Sequence, residues 1–150
     1  TSSDPRDAFA LGDELVLMAD HGVLQSGSPL EVYRAPRTLA AADLMSDPRA
    51  NRLPNGAGVL RPEHLSLGRS DASDLAFTVE VIGAETNGSE TFLHCRPDGL
   101  GEDDHWVARL EGLVGAKSGS RTALYAPLEN LMTFPAAAEA HGAAAERIGG

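Results

Sequence analysis

The sequence predicts a mainly β fold: a small antiparallel barrel or sandwich carried behind a short α+β segment. Residues 77–82, 90–95, 105–110 and 121–125 alternate apolar and polar side chains and are separated by Gly-rich turns. That rhythm belongs to a compact antiparallel sheet. Before residue 51 the pattern is helical turns around one hairpin, so the periodicity changes once along the chain. With 42% apolar and 23% charged residues among 150, the chain has the composition of a globular protein with room for one modest core and an appendage.

The first element is a helix. Asp4 suits an N-cap, Pro5 the first turn and Asp7 the positive helix end, while Ala8, Phe9 and Leu11 supply an apolar face and Gly12 a left-handed stop. At barely two turns it needs a surface to pack on. Residues 14–19 and 23–26 flank Asp20, His21 and Gly22 as the arms of a hairpin. Ser28, Pro29 and Glu31 then form a capping box that opens a helix, and Pro36 stops it near Ala35. A second short helix spans about residues 38–45 and ends before Asp47 and Pro48.

Residues 51–58, rich in Asn, Pro and Gly, read as punctuation. The domain organisation is therefore an N-terminal segment over 1–50, a linker over 51–57, a β domain over 58–134 and an Ala-rich flexible tail over 135–150. The β domain opens with a strand over 59–67 interrupted at Pro62, on which Arg61 and Glu63 would alternate on one face.

Charge and cysteine content narrow the function. A formal net charge of −10, from 22 acidic and 12 basic residues, opposes general nucleic-acid binding, which needs clustered Lys and Arg. Cys95 is the single cysteine, so no internal disulfide forms and a reducing compartment suits the chain. No run approaches the ~20 apolar residues of a membrane span. The first residue is Thr1 rather than Met, as in a piece of a longer chain.

Five histidines and Cys95 raise the question of a metal, but none of the recognised zinc spacings occurs, and adjacent His94 and Cys95 face opposite sides of a strand. No metal site is expected. Phe77, Phe92 and Trp106 are read as core aromatics rather than base-stacking platforms. Glu80, Glu85, Glu90, Asp103 and Asp104 are read as solvated carboxylates, since nothing fixes a catalytic separation between them. A Gly-x-x-x-x-Gly-Lys-Ser/Thr phosphate loop is absent from the 150 residues, as are a Ser-Gly-Gly signature and a strand ending in Asp-Glu. No catalytic residue is therefore assigned, and the chain is expected to be inactive as an ATPase alone.

Gly27, Pro29, Glu31, Tyr33 and Pro36 are followed by Ser46, Asp47, Pro48 and Asn51, and then by Arg61, Pro62, Glu63 and His64. In order and spacing this series resembles the stretch that joins the nucleotide-binding domain of an ABC importer ATPase to its C-terminal regulatory domain. That domain is the transport-associated OB type, or TOBE domain. The resemblance covers roughly residues 1–134. Ser46 to Pro48 with Asn51 looks closer to the paired ATPases of glycerol- and polyol-type importers than to the usual sugar importers.

The resemblance implies that residues 1–50 end a nucleotide-binding domain and that 58–134 form an OB-like regulatory barrel. Ser3, within Ser2-Ser3-Asp4, stands where that family carries its switch histidine, and a hydroxyl cannot replace an imidazole there. The parent subunit is then a weak or degenerate ATPase. Arg61, Glu63 and His64 are the implied ligand or interface residues. No cofactor is expected in this fragment, whereas the intact parent would bind ATP and Mg. The implied partners are a second ATPase subunit, in a homo- or heterodimer, and membrane subunits reached through the missing domain, with no nucleic acid. The implied location is cytoplasmic, peripheral on the inner face of the cell membrane, driving import of a sugar, glycerol or polyol. The alternative is a free-standing oxyanion or small-ligand binding module of the molybdate-binding type, whose groove would be lined by cations.

Overall fold

The single change in periodicity marks a real division. The computed structural model describes residues 1–20 and 22–134. They fall into two compact units, one containing Thr1–Arg49 and the other Ala50–Thr133. The Ala-rich tail expected over 135–150 lies outside the described residues.

In the first unit, α1 (Pro5–Leu11) starts at Asp4, whose carboxylate accepts from the Arg6 amide at 2.9 Å. Gly12 closes it through a 3.1 Å bond from its amide to the Ala8 carbonyl. The left-handed stop expected there is not formed: Gly12 has a φ of −106°. Glycine is needed for close approach instead, because a Cβ would sit 2.9 Å from the Ala8 oxygen. Strands β1 (Leu15–Ala19) and β2 (Gly22–Gly27) pair antiparallel, with the register slipping between Leu17 and Met18.

Helix α2 (Pro29–Arg34) carries both bonds of its capping box: Ser28 Oγ accepts from the Glu31 amide at 3.3 Å, and the Ser28 amide donates to Glu31 Oε2 at 3.1 Å. Thr38 caps α3 (Leu39–Leu44) with one bond only, its hydroxyl accepting from the Ala41 amide at 3.1 Å. Buried Gln25 ties β2 to the segment after α2, donating to the Ala35 carbonyl and accepting from the Arg37 amide. The core of this unit is small: Leu17, Val32, Ala41 and Met45.

The second unit begins with β3 (Asn51–Arg52) paired to β4 (Val59–Leu60). The linker expected over 51–57 is therefore a strand and its turn. Its Asn, Pro and Gly residues turn the chain back on itself instead of joining two bodies. The strand expected over 59–67 is also revised. After β4, Pro62–His64 form a 3-10 turn, and the chain extends again so that Ser66 bridges Tyr125. Pro62 has no amide for a ladder and a φ suited to the first position of a turn.

Four longer strands form the antiparallel sheet: β5 (Leu75–Thr86), β6 (Glu90–Pro97), β7 (Trp106–Glu111) and β8 (Arg121–Ala126), in the order β7-β6-β5-β8. β5 runs past both ends of the alternation: Leu75 and Ala76 pair with β8, and a bulge between Val81 and Gly83 shifts the phase and lets the strand continue along β6. Val79, Val81, Leu93, Cys95, Trp106, Leu110 and Leu124 line the inner face, and Leu60 and Leu65 close over it. This is the mainly β, OB-like half-barrel that the sequence predicts.

Candidate functional site

Arg61, Glu63 and His64 fall on the 3-10 turn that packs against β7, and the turn gives each a different environment. The expected alternation of Arg61 and Glu63 on one strand face does not occur. Arg61 is only 2% exposed, whereas Glu63 is exposed. A guanidinium at that depth persists only when its charge is compensated, and Arg61 is not without a partner. It is an internal cation.

His64 is half-buried, and its Nδ1 is enclosed without a hydrogen bond among the described residues. Burial pulls the ring below the usual imidazole range; Glu63 opposes that shift and Arg61 adds to it. The neutral ring is thus the favoured form here. The backbone holds the turn through the His64 amide, 3.1 Å from the Arg61 carbonyl.

Ser3 lies in the other unit, exposed just before α1. Its neighbours do the structural work there. Ser2 Oγ donates to Asp7, and Asp4 caps the helix while pairing with Arg6 at 2.7 Å. Ser3 lines a groove of about 480 Å³ together with residues of α1, β1 and the end of α3. Asp4 and Asp7 line the same groove, each engaged with a neighbour at the helix start.

Asn51, which closes the series begun by Ser46, Asp47 and Pro48, has a structural task in the second unit. Asn51 Nδ2 donates to the Val107 carbonyl at 2.8 Å, and its Oδ1 accepts from the Val107 amide at 2.9 Å. One buried amide side chain thus completes the edge of β7 as a neighbouring strand would. Next to it, Trp106 Nε1 donates to the Arg52 carbonyl at 2.7 Å. An Asn placed among turn residues carries no local sign of this, because its partner lies 56 positions away.

Phe77 and Trp106 meet edge to face at 4.9 Å inside the sheet, as expected of core aromatics. Phe92 departs from that expectation. It belongs to the half-exposed face of β6, beneath the Arg109 guanidinium at 6.0 Å, with Arg109 also bonded to Glu90 at 2.7 Å. Cys95 is fully buried on the opposite face, and burial pushes its thiol up to about 11. The thiolate needed for metal binding or nucleophilic attack is therefore disfavoured.

These features define a small β unit built around an internal arginine and an asparagine clasp, paired in sequence with a capped helical segment. No protein-family model matches the chain. It is 32% identical over 145 residues to the sn-glycerol-3-phosphate import ATP-binding protein UgpC 2 of Rhizobium johnstonii, a match covering 87% of this chain and 42% of the relative. Its identity to the sn-glycerol-3-phosphate import ATP-binding protein UgpC of Chromohalobacter salexigens is 31% over 89% of this chain and 43% of that protein. A maltose/maltodextrin import ATP-binding protein of Mannheimia succiniciproducens is 30% identical over 74% of this chain and 30% of its own length.

The chain is accordingly a member of the ATP-binding-subunit family of ABC importers. Within that family its relatives here are the glycerol-phosphate and sugar import proteins, and the chain spans less than half of their length. These relatives do not favour the alternative of a free-standing oxyanion module.

Proposed function

We propose that this chain is the C-terminal part of an ATP-binding import subunit, with Ala50–Thr133 as its regulatory and dimer-contact domain. The observation that supports this best is the match to import ATP-binding proteins across both units, covering 87–89% of the chain. The first unit then closes a nucleotide-binding domain through its open apolar side, where Phe9, Leu11, Val16, Met18 and Val23 are exposed. ATP and Mg bind the whole subunit outside these 150 residues. The solute is glycerol phosphate, a polyol or a sugar.

The subunit pairs with a second ATP-binding subunit and couples to membrane subunits from the cytoplasmic face. No helix among the described residues is long and apolar enough to cross a membrane itself. Ser3, at the place of the switch histidine, makes the parent a slow ATPase that relies on its pair. Arg61 acts from inside the regulatory unit, and Glu63 is the residue of that turn offered to a partner.

A chimera tests the reading. The region of the Rhizobium johnstonii protein matched by Ala50–Thr133 is replaced with these residues, and uptake of labelled sn-glycerol 3-phosphate is measured in cells lacking the native subunit. Uptake above the empty-vector level is expected. A chimera that is expressed and folded but inactive overturns the assignment. Sedimentation of the same chimera tests the pairing: a strict monomer at high concentration, with ATP bound, removes the dimer contact from the proposal.

A further inference from the structure

We propose that His94 and His105, on the outward face of the second unit's sheet, form a binding site for a divalent transition-metal ion of the imidazole-preferring class, such as Zn²⁺. β6 and β7 pair with His94 opposite Val107, so His105 lies diagonal to His94 on the same face. The two rings have centroids 5.7 Å apart and are tilted by 35°. Two imidazoles that share one ion at metal–nitrogen distances of about 2.0–2.1 Å place their ring centres about 5–6 Å apart. The pair already stands at that separation.

The His94 ring is held in place, and the turn that carries His105 is secured. Glu85 on β5 puts its Oε2 3.3 Å from His94 Nε2. A carboxylate behind one ring nitrogen fixes the tautomer and presents the other nitrogen as a ligand. Arg96 donates to the Glu102 carbonyl at 2.8 Å and to the Asp104 carbonyl at 3.4 Å, which secures the turn that delivers His105. The charges around the site favour a cation: Glu102, Asp103 and Asp104 directly precede His105 and Glu85 adjoins His94, while of the arginines on this face Arg109 is paired with Glu90 and Arg96 is turned to backbone carbonyls.

No group of three or more His, Cys, Asp or Glu side chains converges on one ion among the described residues. The protein thus supplies two nitrogens and water completes the shell, giving affinity in the micromolar range rather than that of a structural zinc centre. The sequence offers no zinc spacing because the two ligands become neighbours across strands, not along the chain.

Isothermal titration of the tag-free full chain with ZnCl₂ at about pH 7.5, alongside NMR of the histidine rings, tests the proposal. One ion per chain is expected, with shifts at His94 and His105 but not at His64. Binding should be lost in either His94→Gln or His105→Gln and weakened about tenfold in Glu85→Gln. Circular dichroism of the glutamine variants checks that they remain folded. The absence of heat and ring shifts up to millimolar Zn²⁺ overturns the proposal. So does saturable binding that survives in the double variant, which would place the ion on other groups.

Discussion

The two units of this chain differ in opposite senses, one in the strength of its local signals and the other in its degree of closure. The first has capped helices and a hairpin, yet its buried cluster is only Leu17, Val32, Ala41 and Met45, while Leu11, Met18 and Val23 are more than half exposed. The second has weaker local signals but encloses Leu60, Leu93, Trp106 and Leu124 almost completely. Capping decides where a helix starts; enclosed apolar area decides whether a unit stands alone. The first unit is locally well specified and globally unfinished. The second is the reverse.

The sharpest way to break this comparison is to separate the units. Residues 50–133 alone are expected to unfold in one cooperative thermal transition, and residues 1–49 alone to show none by circular dichroism. A cooperative transition in the shorter piece would mean that its exposed apolar side is not a defect of closure.

Within the second unit, Trp106→Ala removes a side chain that is 1% exposed, together with its bond to the Arg52 carbonyl. A loss of about 3–5 kcal/mol in urea denaturation is expected. Asn51→Ala is next, at about 2 kcal/mol, because it strands the buried amide and carbonyl of Val107. A Asn51→Ala loss near zero would show that water substitutes for the clasp.

The smallest expected effect is that of pH on His64. Its folded value lies below the ordinary imidazole value, so between the two the unfolded chain binds more protons. The stability contributed by the neutral ring is fully present above about pH 6.5 and is lost as pH falls through the folded value. His64→Gln should make the acid limb of a stability–pH curve shallower. An unchanged limb would assign the acid sensitivity to other groups.

Much of the architecture is legible in the residues. Ser28 and Glu31 announce their capping box, and the alternation along β6 is visible because one face of that strand is buried. Three features were not legible, each for a physical reason. The bulge after Val81 breaks the alternation that would have extended β5. Asn51 in a Gly- and Pro-rich run looks like turn chemistry, since its true partner is remote in sequence. Arg61 carries a charge that predicts exposure, and only the packed turn shows it inside. Ser3 is the opposite case: its interest comes from resemblance, and its exposed position at the start of α1 adds no chemistry of its own.

Cys95 gives the second unit a built-in clock. The only thiol in the chain is sealed on the inner face of the sheet and held in its unreactive form. A thiol reagent therefore modifies the protein only when that face opens, and the labelling rate counts openings instead of reporting surface chemistry. Followed with and without the second ATP-binding subunit proposed above, one residue would report whether pairing changes how often the sheet opens.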